Sequence, residues 1–211
     1  HWGAYDSLID YPDRRVVSFR FLTEDGHFHV DAFREKVEDI LTRQKNIVII
    51  LNGVANNPTG YCMSVEEWQA AVDVLKHTVE GKDKNAVLIP DVAYLDYSGE
   101  KQECRRFFKV FGGLPKNILT IVAYTLSKGF TLYGQRQGAM IGITSDAVVL
   151  NFSQFNLTFR INHKGTTISH AIFLNHHTEC ARKSSGRICQ HWISDFANAF
   201  GSIMPCFMNK M

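Results

Sequence analysis

The chain has 211 residues, of which 45% are apolar and 21% are charged, and its 23 Lys and Arg residues nearly balance 21 Asp and Glu. This composition suits one domain of larger than average size, and the net charge of +2, without a dense basic run, excludes an electrostatic nucleic-acid footprint. No apolar stretch reaches the roughly 20 residues that span a bilayer, and the first residues do not form a signal peptide, so we expect a cytoplasmic protein with no nucleic-acid or membrane partner.

Short apolar runs alternate with longer segments whose apolar residues recur at helical spacing. In chain order the pattern predicts a strand at 16–21, a helix at 31–41, a strand at 47–51, a helix at 64–80, a strand at 86–90, a helix in 104–116 that stops at Gly112-Gly113, and strands at 118–124 and 138–144. Asp31 is the expected N-cap of the first helix, and Ser64 with Glu67 has capping-box spacing at the second. This alternation predicts an α/β fold with a mostly parallel central sheet and flanking helices.

The short apolar run at 47–51 is typical of a central parallel strand that is covered on both faces. The last predicted strand follows its predecessor too closely for a crossover helix, so we expect it to run antiparallel.

The five cysteines are odd in number and lack CxxC spacing, so we expect reduced thiols and no disulfide framework. The tract His176-His177-Thr-Glu-Cys180 contains metal-ligand residue types, but no fourth ligand stands at a clear spacing. We therefore predict that no metal is bound.

Three successive strands of the expected sheet end in groups that carry chemistry. Asn56 and Asn57 follow the strand at 47–51, Asp91 follows the strand at 86–90, and the segment 125–128 follows the strand at 118–124. Ligands of parallel α/β sheets bind outside the carboxyl ends of the strands, so these groups are expected to share one crevice.

The residue types in this crevice match the needs of pyridoxal phosphate (PLP). A lysine amine such as Lys128 condenses with an aldehyde, and an aspartate such as Asp91 can hold a proton on a pyridine nitrogen. Tyr94 and Asn57 can bond a ring hydroxyl, and Arg136 can grip a phosphate as a planar fork. Taken singly, each has a commoner role: a lysine is usually solvated, a strand-terminal aspartate usually caps a turn, and NPTG is a good turn sequence.

The blocks NNPTG (56–60), DVAY (91–94) and SKGFTLYGQRQG (127–138) together resemble the three signature blocks of class I aminotransferases. These are PLP enzymes of fold type I, in the group of aspartate and aromatic aminotransferases. The resemblance covers about residues 1–150 and implies that this part is the central, incomplete large domain of that fold.

The resemblance also implies roles for individual residues. Lys128 would form a Schiff base with PLP and then move a proton on the substrate, Asp91 would pair with the pyridinium nitrogen, and Tyr94 with Asn57 would hydrogen-bond the ring 3-oxygen. The remaining implied cofactor contacts are Arg136, Thr125 and Ser127 at the phosphate, and Trp2 stacked on the ring.

Residues 151–211 are expected to be an uncertain continuation of the domain, either divergent or aberrant. They contain two acidic residues, Glu179 and Asp195, against six Lys and Arg and five of the nine histidines. The resemblance places a Gly/Ser phosphate loop and a small domain with a substrate-binding arginine outside this chain. It also implies a homodimer in the full-length form, because the family's active site lies at a dimer interface.

The leading interpretation is an aminotransferase that moves an amino group from an aspartate-like or aromatic amino acid to a 2-oxo acid. The alternatives are a PLP-dependent lyase or synthase of the same fold, the PLP-binding effector domain of a transcription regulator, and a non-functional gene fragment. Residues that select the substrate are expected mainly outside this chain, so the donor is left open.

Overall fold

A computed structural model describes residues 2–9, 15–135, 138–145 and 170–175. The chain divides into two compact units, His1–Asn175 and His176–Met211, and the second lies outside the described residues. The regular elements of the first unit are α1 (Ala4–Ile9), α2 (Val30–Arg43), β1 (Asn46–Leu51), α3 (Val65–Val79), β2 (Asn85–Pro90), a 3-10 helix (Glu103–Phe111), β3 (Ile118–Thr125), α4 (Leu126–Gly129), β4 (Gly138–Thr144) and β5 (His170–Asn175), with two further single-turn 3-10 helices, Leu95–Tyr97 and Tyr133–Gln135.

The strands form one sheet in the order β1-β2-β3-β4-β5. The pairs β1–β2 and β2–β3 are parallel, and β3–β4 is antiparallel, with Thr125 opposite Gly138. The predicted mostly parallel α/β fold is confirmed, and so is the reversed direction of β4. The reversal follows from the short connection between β3 and β4, which leaves no room for the crossover that a parallel neighbour requires.

β1 is an edge strand of the described sheet, which differs from the expected central strand covered on both faces. Its burial alternates along the strand, and Val48 is 64% exposed. One face of β1 is buried and contacts α2, while the described residues leave the other face largely exposed.

The strand β5 was not predicted. Its residues run parallel to β4, with Ala139 opposite His170. It lies within the segment 151–211, and the rest of that segment is outside the described residues. No helix in the described ranges is both long and apolar enough to cross a membrane.

The helix α3 forms the centre of the core. It contacts α2, the 3-10 helix Glu103–Phe111 and the strands β2 and β3. Trp68 on α3 is fully buried and stacks on Phe107, with ring centroids 5.0 Å apart, while Phe111 meets it edge-on. The predicted helix that begins near residue 104 and stops at Gly112-Gly113 is confirmed, and it is the 3-10 helix Glu103–Phe111.

Caps define where the two long helices begin. The predicted capping box of α3 is confirmed, because the Ser64 hydroxyl accepts from the Glu67 N–H and the Glu67 carboxylate accepts from the Ser64 N–H. Asp31 as N-cap of α2 is wrong. The cap is His29, whose Nδ1 accepts from the Ala32 N–H at 3.2 Å, and Asp31 lies in the first turn. An imidazole nitrogen can therefore fill the acceptor role for which sequence patterns favour a carboxylate.

The predicted strand at 16–21 is also wrong. The segment adopts no regular structure, and Leu22 just beyond it forms only an isolated bridge with Phe28. Its apolar residues serve packing, since Phe19 lies against Phe28 and against Phe33 of α2, with ring centroids 6.2 and 5.4 Å apart. Apolar alternation produces a strand only where a neighbouring strand offers hydrogen-bonding partners.

Candidate active site

Asp91 lies directly after β2, at the carboxyl end of the parallel strands. Its backbone bridges to Ala123 of β3, and the Val92 N–H donates to the Ala123 carbonyl at 3.0 Å. The carboxylate is held from both sides: Oδ1 accepts from the Ala93 N–H at 3.0 Å, and Oδ2 accepts from the Tyr5 hydroxyl. Asp91 is therefore a fixed acceptor at the expected edge of the sheet.

Tyr5 and Asn52 extend this group, and neither is predicted from the sequence. Burial raises the pKa of the Tyr5 hydroxyl, the hydrogen bond to Asp91 raises it further, and a hydrogen bond with the Asn52 side chain opposes both. Asn52 is buried directly after β1, and its Oδ1 accepts from the Asn57 N–H at 2.8 Å. Two sequence features could have indicated these residues: Asn52 is a polar residue directly after an apolar strand, and Tyr5 lies three residues after Trp2.

The loop that carries Asn57 is shaped by its neighbour Asn56. The buried Asn56 side chain donates to the Asn52 carbonyl at 2.8 Å and accepts from the Thr59 hydroxyl at 2.7 Å. The peptide bond between Asn57 and Pro58 is cis. The loop thus holds half-buried Asn57 beside Asn52, at the end of the strand next to Asp91.

Lys128 lies in the short helix α4, which follows β3 without a break. Thr125 caps this helix, because its hydroxyl accepts from the Ser127 N–H at 3.1 Å. Ser127 is buried and Lys128 is half-buried. The two hydroxyl residues that were expected to contact a phosphate therefore also set the conformation of the lysine turn.

Two phenols surround the Lys128 amine. Its Nζ lies 5.2 Å from the ring centroid of Tyr94 and 4.8 Å from that of Tyr133. A hydrogen bond with the Tyr94 hydroxyl raises the pKa of Lys128 above its ordinary value. A useful amine near neutral pH would need a lowered pKa, so these phenols favour the ammonium form. Tyr133 was not identified from the sequence, although it lies within the block 127–138.

Two further residues, Trp2 and Arg136, were expected to contact the cofactor. Trp2 is 47% exposed, and its ring meets the Tyr5 ring edge-on, with centroids 5.6 Å apart. Arg136 lies outside the described residues. The structure thus brings Asp91, Tyr94 and Lys128 to adjacent strand ends, and it joins Asn57 to Asp91 through Asn52 and Tyr5.

The structure adds little to the expectations about metals and cysteines. Within the described ranges, no group of three or more His, Cys, Asp or Glu side chains is arranged to hold a metal ion. Cys62 and Cys104 are free thiols. The tract 176–180 lies outside the described residues.

The fold and these strand-end groups define an α/β protein with an acid, a phenol and an amine at the switch between parallel and antiparallel strands. The family Aminotransferase class I and II matches residues 1–188, so the chain belongs to that family, whose members use PLP. The matched range extends beyond the resemblance expected for residues 1–150.

Individual relatives agree with this assignment. The chain is 32% identical over 145 residues to the mitochondrial aspartate aminotransferase P2 of Lupinus angustifolius, covering 68% of this chain and 30% of that protein. It is 27% identical over 164 residues to the aspartate aminotransferase of Escherichia coli, covering 77% and 39%. The crystal structure of an aminotransferase from Anaerococcus prevotii matches with a TM-score of 0.70 and 36% identity, covering 73% of this chain and 38% of that one. The chain therefore spans between about three tenths and two fifths of these proteins.

The residues present fit PLP by the chemistry of their donors and acceptors. Asp91 is an anchored carboxylate for a ring nitrogen, Tyr94 is a phenol for a ring oxygen, and Lys128 is an amine for an aldehyde. Among the described groups, the one feature that opposes this fit is the raised pKa of Lys128, because the neighbouring phenols favour its ammonium form.

Proposed function

We propose that this chain is part of a PLP-dependent aminotransferase that moves an amino group from an aspartate-like or aromatic amino acid to a 2-oxo acid. The observation that carries the proposal is the position of Asp91, Tyr94 and Lys128 at the ends of two adjacent parallel strands. The names of the relatives, aspartate and aromatic-amino-acid aminotransferases, support the donor class.

PLP, when bound, supplies an aldehyde for amine exchange and a ring that withdraws electrons. Asp91 would hold the ring nitrogen, and its two hydrogen bonds from Ala93 and Tyr5 orient the carboxylate for that task. Tyr94 and Asn57 would hold the ring oxygen. Since the Lys128 ammonium can only donate to the Tyr94 oxygen, the phenol proton of Tyr94 remains available to an anionic ring oxygen.

Lys128 would hold the aldehyde carbon through Nζ and afterwards carry a proton to and from the substrate carbon. The raised pKa of Lys128 means that its ammonium must first give a proton to solvent, and the Tyr94 and Tyr133 rings are the groups in contact with it. Thr125, Ser127 and Arg136 would hold the phosphate, and Trp2 would cover the ring face.

We further infer a homodimer in the full-length form. Three aromatic side chains on and around the lysine turn are exposed, namely Tyr97, Phe130 and Tyr133. Exposed aromatic residues next to a ligand site are typical of a surface that a partner covers. A cytoplasmic location is also proposed, and the free thiols of Cys62 and Cys104 support it.

The test is to incubate the purified chain with PLP, reduce with borohydride and map the adduct by peptide mass. We expect the label on the peptide that contains Lys128, and its loss in Lys128→Ala. The matched control is Lys116→Ala, because Lys116 is an exposed lysine before the opposite end of β3. Labelling of other lysines, or equal labelling in both variants, would refute the assignment.

A second measurement separates reaction types. The full-length protein is loaded with PLP and mixed with L-aspartate or L-phenylalanine, because the substrate-binding arginine is expected outside this chain, and the products are analysed by mass spectrometry. The 2-oxo acid is expected. Release of ammonia or carbon dioxide would instead indicate a lyase of the same fold.

A further inference from the structure

The turn that carries Lys128 depends on contacts from outside itself. Helix α4 has four residues, and a helix this short is not stable alone. The Thr125 cap fixes its beginning. Its end lies against the segment that follows β2, where the Tyr97 hydroxyl donates to the Lys128 carbonyl at 2.9 Å. The position of the lysine is thus set partly by residues 94–97.

Asp96, in the middle of that segment, is held by two side chains. Its Oδ2 accepts from the Tyr124 hydroxyl at 2.6 Å, and its Oδ1 accepts from Arg105 at 2.9 Å. Tyr124 lies on β3 and is 6% exposed, while the Arg105 and Asp96 side chains are 13% and 30% exposed. Burial raises the pKa of Tyr124, and the hydrogen bond to Asp96 raises it further, so the phenol stays protonated and donates. The carboxylate is therefore held from two separate elements.

The held carboxylate lies against Gly129, the residue after Lys128. A Cβ added at Gly129 would meet Asp96 Oδ2 closer than real side chains pack, and it would lie 3.3 Å from the Tyr124 hydroxyl. Glycine is needed here for close approach. The Asp96 carboxylate cannot move away from Gly129 without losing its hydrogen bond to Tyr124 or to Arg105. The contact between Asp96 and Gly129 therefore fixes the position of the lysine turn.

We propose that Asp96 is a positioning residue for Lys128: its carboxylate, fixed by Tyr124 and Arg105, sets the place of the turn through contact with Gly129. The reactive role of Lys128 rests on the proposed function, whereas the contact does not. Tyr94 and Asp96 belong to one short segment, so a turn seated on Asp96 also keeps the lysine amine at the Tyr94 ring. Sequence motifs did not indicate Asp96.

The first experiment uses second-site rescue. The rate of borohydride-trapped PLP labelling at Lys128 is measured in the native chain, in Gly129→Ala, in Asp96→Gly and in the double variant. We expect Gly129→Ala to lower the rate by about tenfold or more, because the new methyl group displaces the carboxylate from its hydrogen bonds. In the double variant the methyl group has space, so its rate should return to within about threefold of Asp96→Gly alone.

The second experiment needs no cofactor. Lysines are methylated reductively with ¹³C-formaldehyde, and the Lys128 signal is assigned with Lys128→Ala. Two neighbouring phenol rings should shift this signal in the native chain, and Asp96→Gly should move it towards the position of an exposed lysine. The control Glu103→Gln removes the exposed ion pair between Glu103 and Arg106, on the 3-10 helix that also carries Arg105. It should leave the Lys128 signal in place.

The outcomes separate the two proposals. If the native chain is not labelled at Lys128, the proposed function fails, while the NMR signal still tests Asp96. Suppose that labelling occurs, but Gly129→Ala lowers the labelling rate as much in the Asp96→Gly background as in the native chain. If the Lys128 methyl signal also does not move in Asp96→Gly, Asp96 has no positioning role. Thermal unfolding of each variant by circular dichroism identifies any that do not fold, and the methyl signal of the folded variants then decides.

Discussion

Glu67 connects the start of α3 to the segment before α2, and its replacement by glutamine should measure that connection. One carboxylate oxygen, Oε1, accepts from the Phe28 N–H at 2.9 Å and from the Tyr61 hydroxyl at 2.6 Å. The other, Oε2, accepts from the Ser64 N–H at 2.8 Å. Three donors therefore point at one side chain, which is 18% exposed.

Glutamine has nearly the same shape but only one acceptor atom. If its oxygen serves Phe28 and Tyr61, its amide group faces the Ser64 N–H, and one hydrogen bond becomes a contact between two donors. The other hydrogen bonds lose their charge assistance. We expect Glu67→Gln to lower the free energy of unfolding by about 2 kcal/mol at pH 7, which corresponds to a shift of about 1 M in the urea midpoint.

The difference should depend on pH. Burial raises the pKa of Glu67, but hydrogen bonds from Tyr61, Phe28 and Ser64 lower it more, and the net pKa lies below the ordinary 4.5. The unfolded chain therefore binds the proton first as the pH falls. The stabilisation by the carboxylate is fully present above pH 4.5 and is lost as the pH falls through the folded pKa.

Urea unfolding followed by circular dichroism at pH 7 and at about pH 3 measures both effects. The control is Glu66→Gln, which neutralises an exposed carboxylate in the same first turn and should change the midpoint little. A loss of unfolding free energy below about 0.5 kcal/mol at pH 7 would refute the reasoning. So would a difference in unfolding free energy between the native chain and Glu67→Gln that is the same at both pH values.

Two glycines should not tolerate a methyl group. In Gly53→Ala the new Cβ would meet the Met63 sulfur and would lie 2.8 Å from Trp68, so the melting temperature should fall by the equivalent of about 1–3 kcal/mol, and an unchanged melting temperature would contradict this. In Gly138→Ala the new Cβ would meet the backbone carbonyl of Tyr124, so the amides of β3 and β4 near Tyr124 and Gly138 should exchange hydrogen faster than in the native chain. The amides of β1 serve as the internal reference. Unchanged exchange rates in β3 and β4 would disprove the clash.

The local sequence determined most of the fold. Apolar periodicity located both long helices and four strands of the sheet, and the capping box Ser64–Glu67 marked the start of α3. Connection length alone predicted that β4 runs antiparallel. These features depend on residues close together in the chain, which is why they can be predicted without coordinates.

The lysine crevice was predicted in part. Three blocks placed Asp91, Tyr94 and Lys128 at neighbouring strand ends, and the sheet order agrees. The partners of these residues were missed, because each depends on a distant contact: Tyr5 lies 86 positions from Asp91, and Asp96 lies 28 positions from Tyr124. Nothing in the spacing of such pairs indicates that they meet.

Tertiary structure also overruled two local expectations. His29 replaced Asp31 as the cap of α2, and residues 16–21 stayed outside the sheet, where Phe19 packs on Phe28 and Phe33. Local sequence thus determined which segments form helices and strands and which chemistry follows each strand. Only the folded chain decided which donors and acceptors face that chemistry, since burial and long-range hydrogen bonds depend on how the strands and helices pack together.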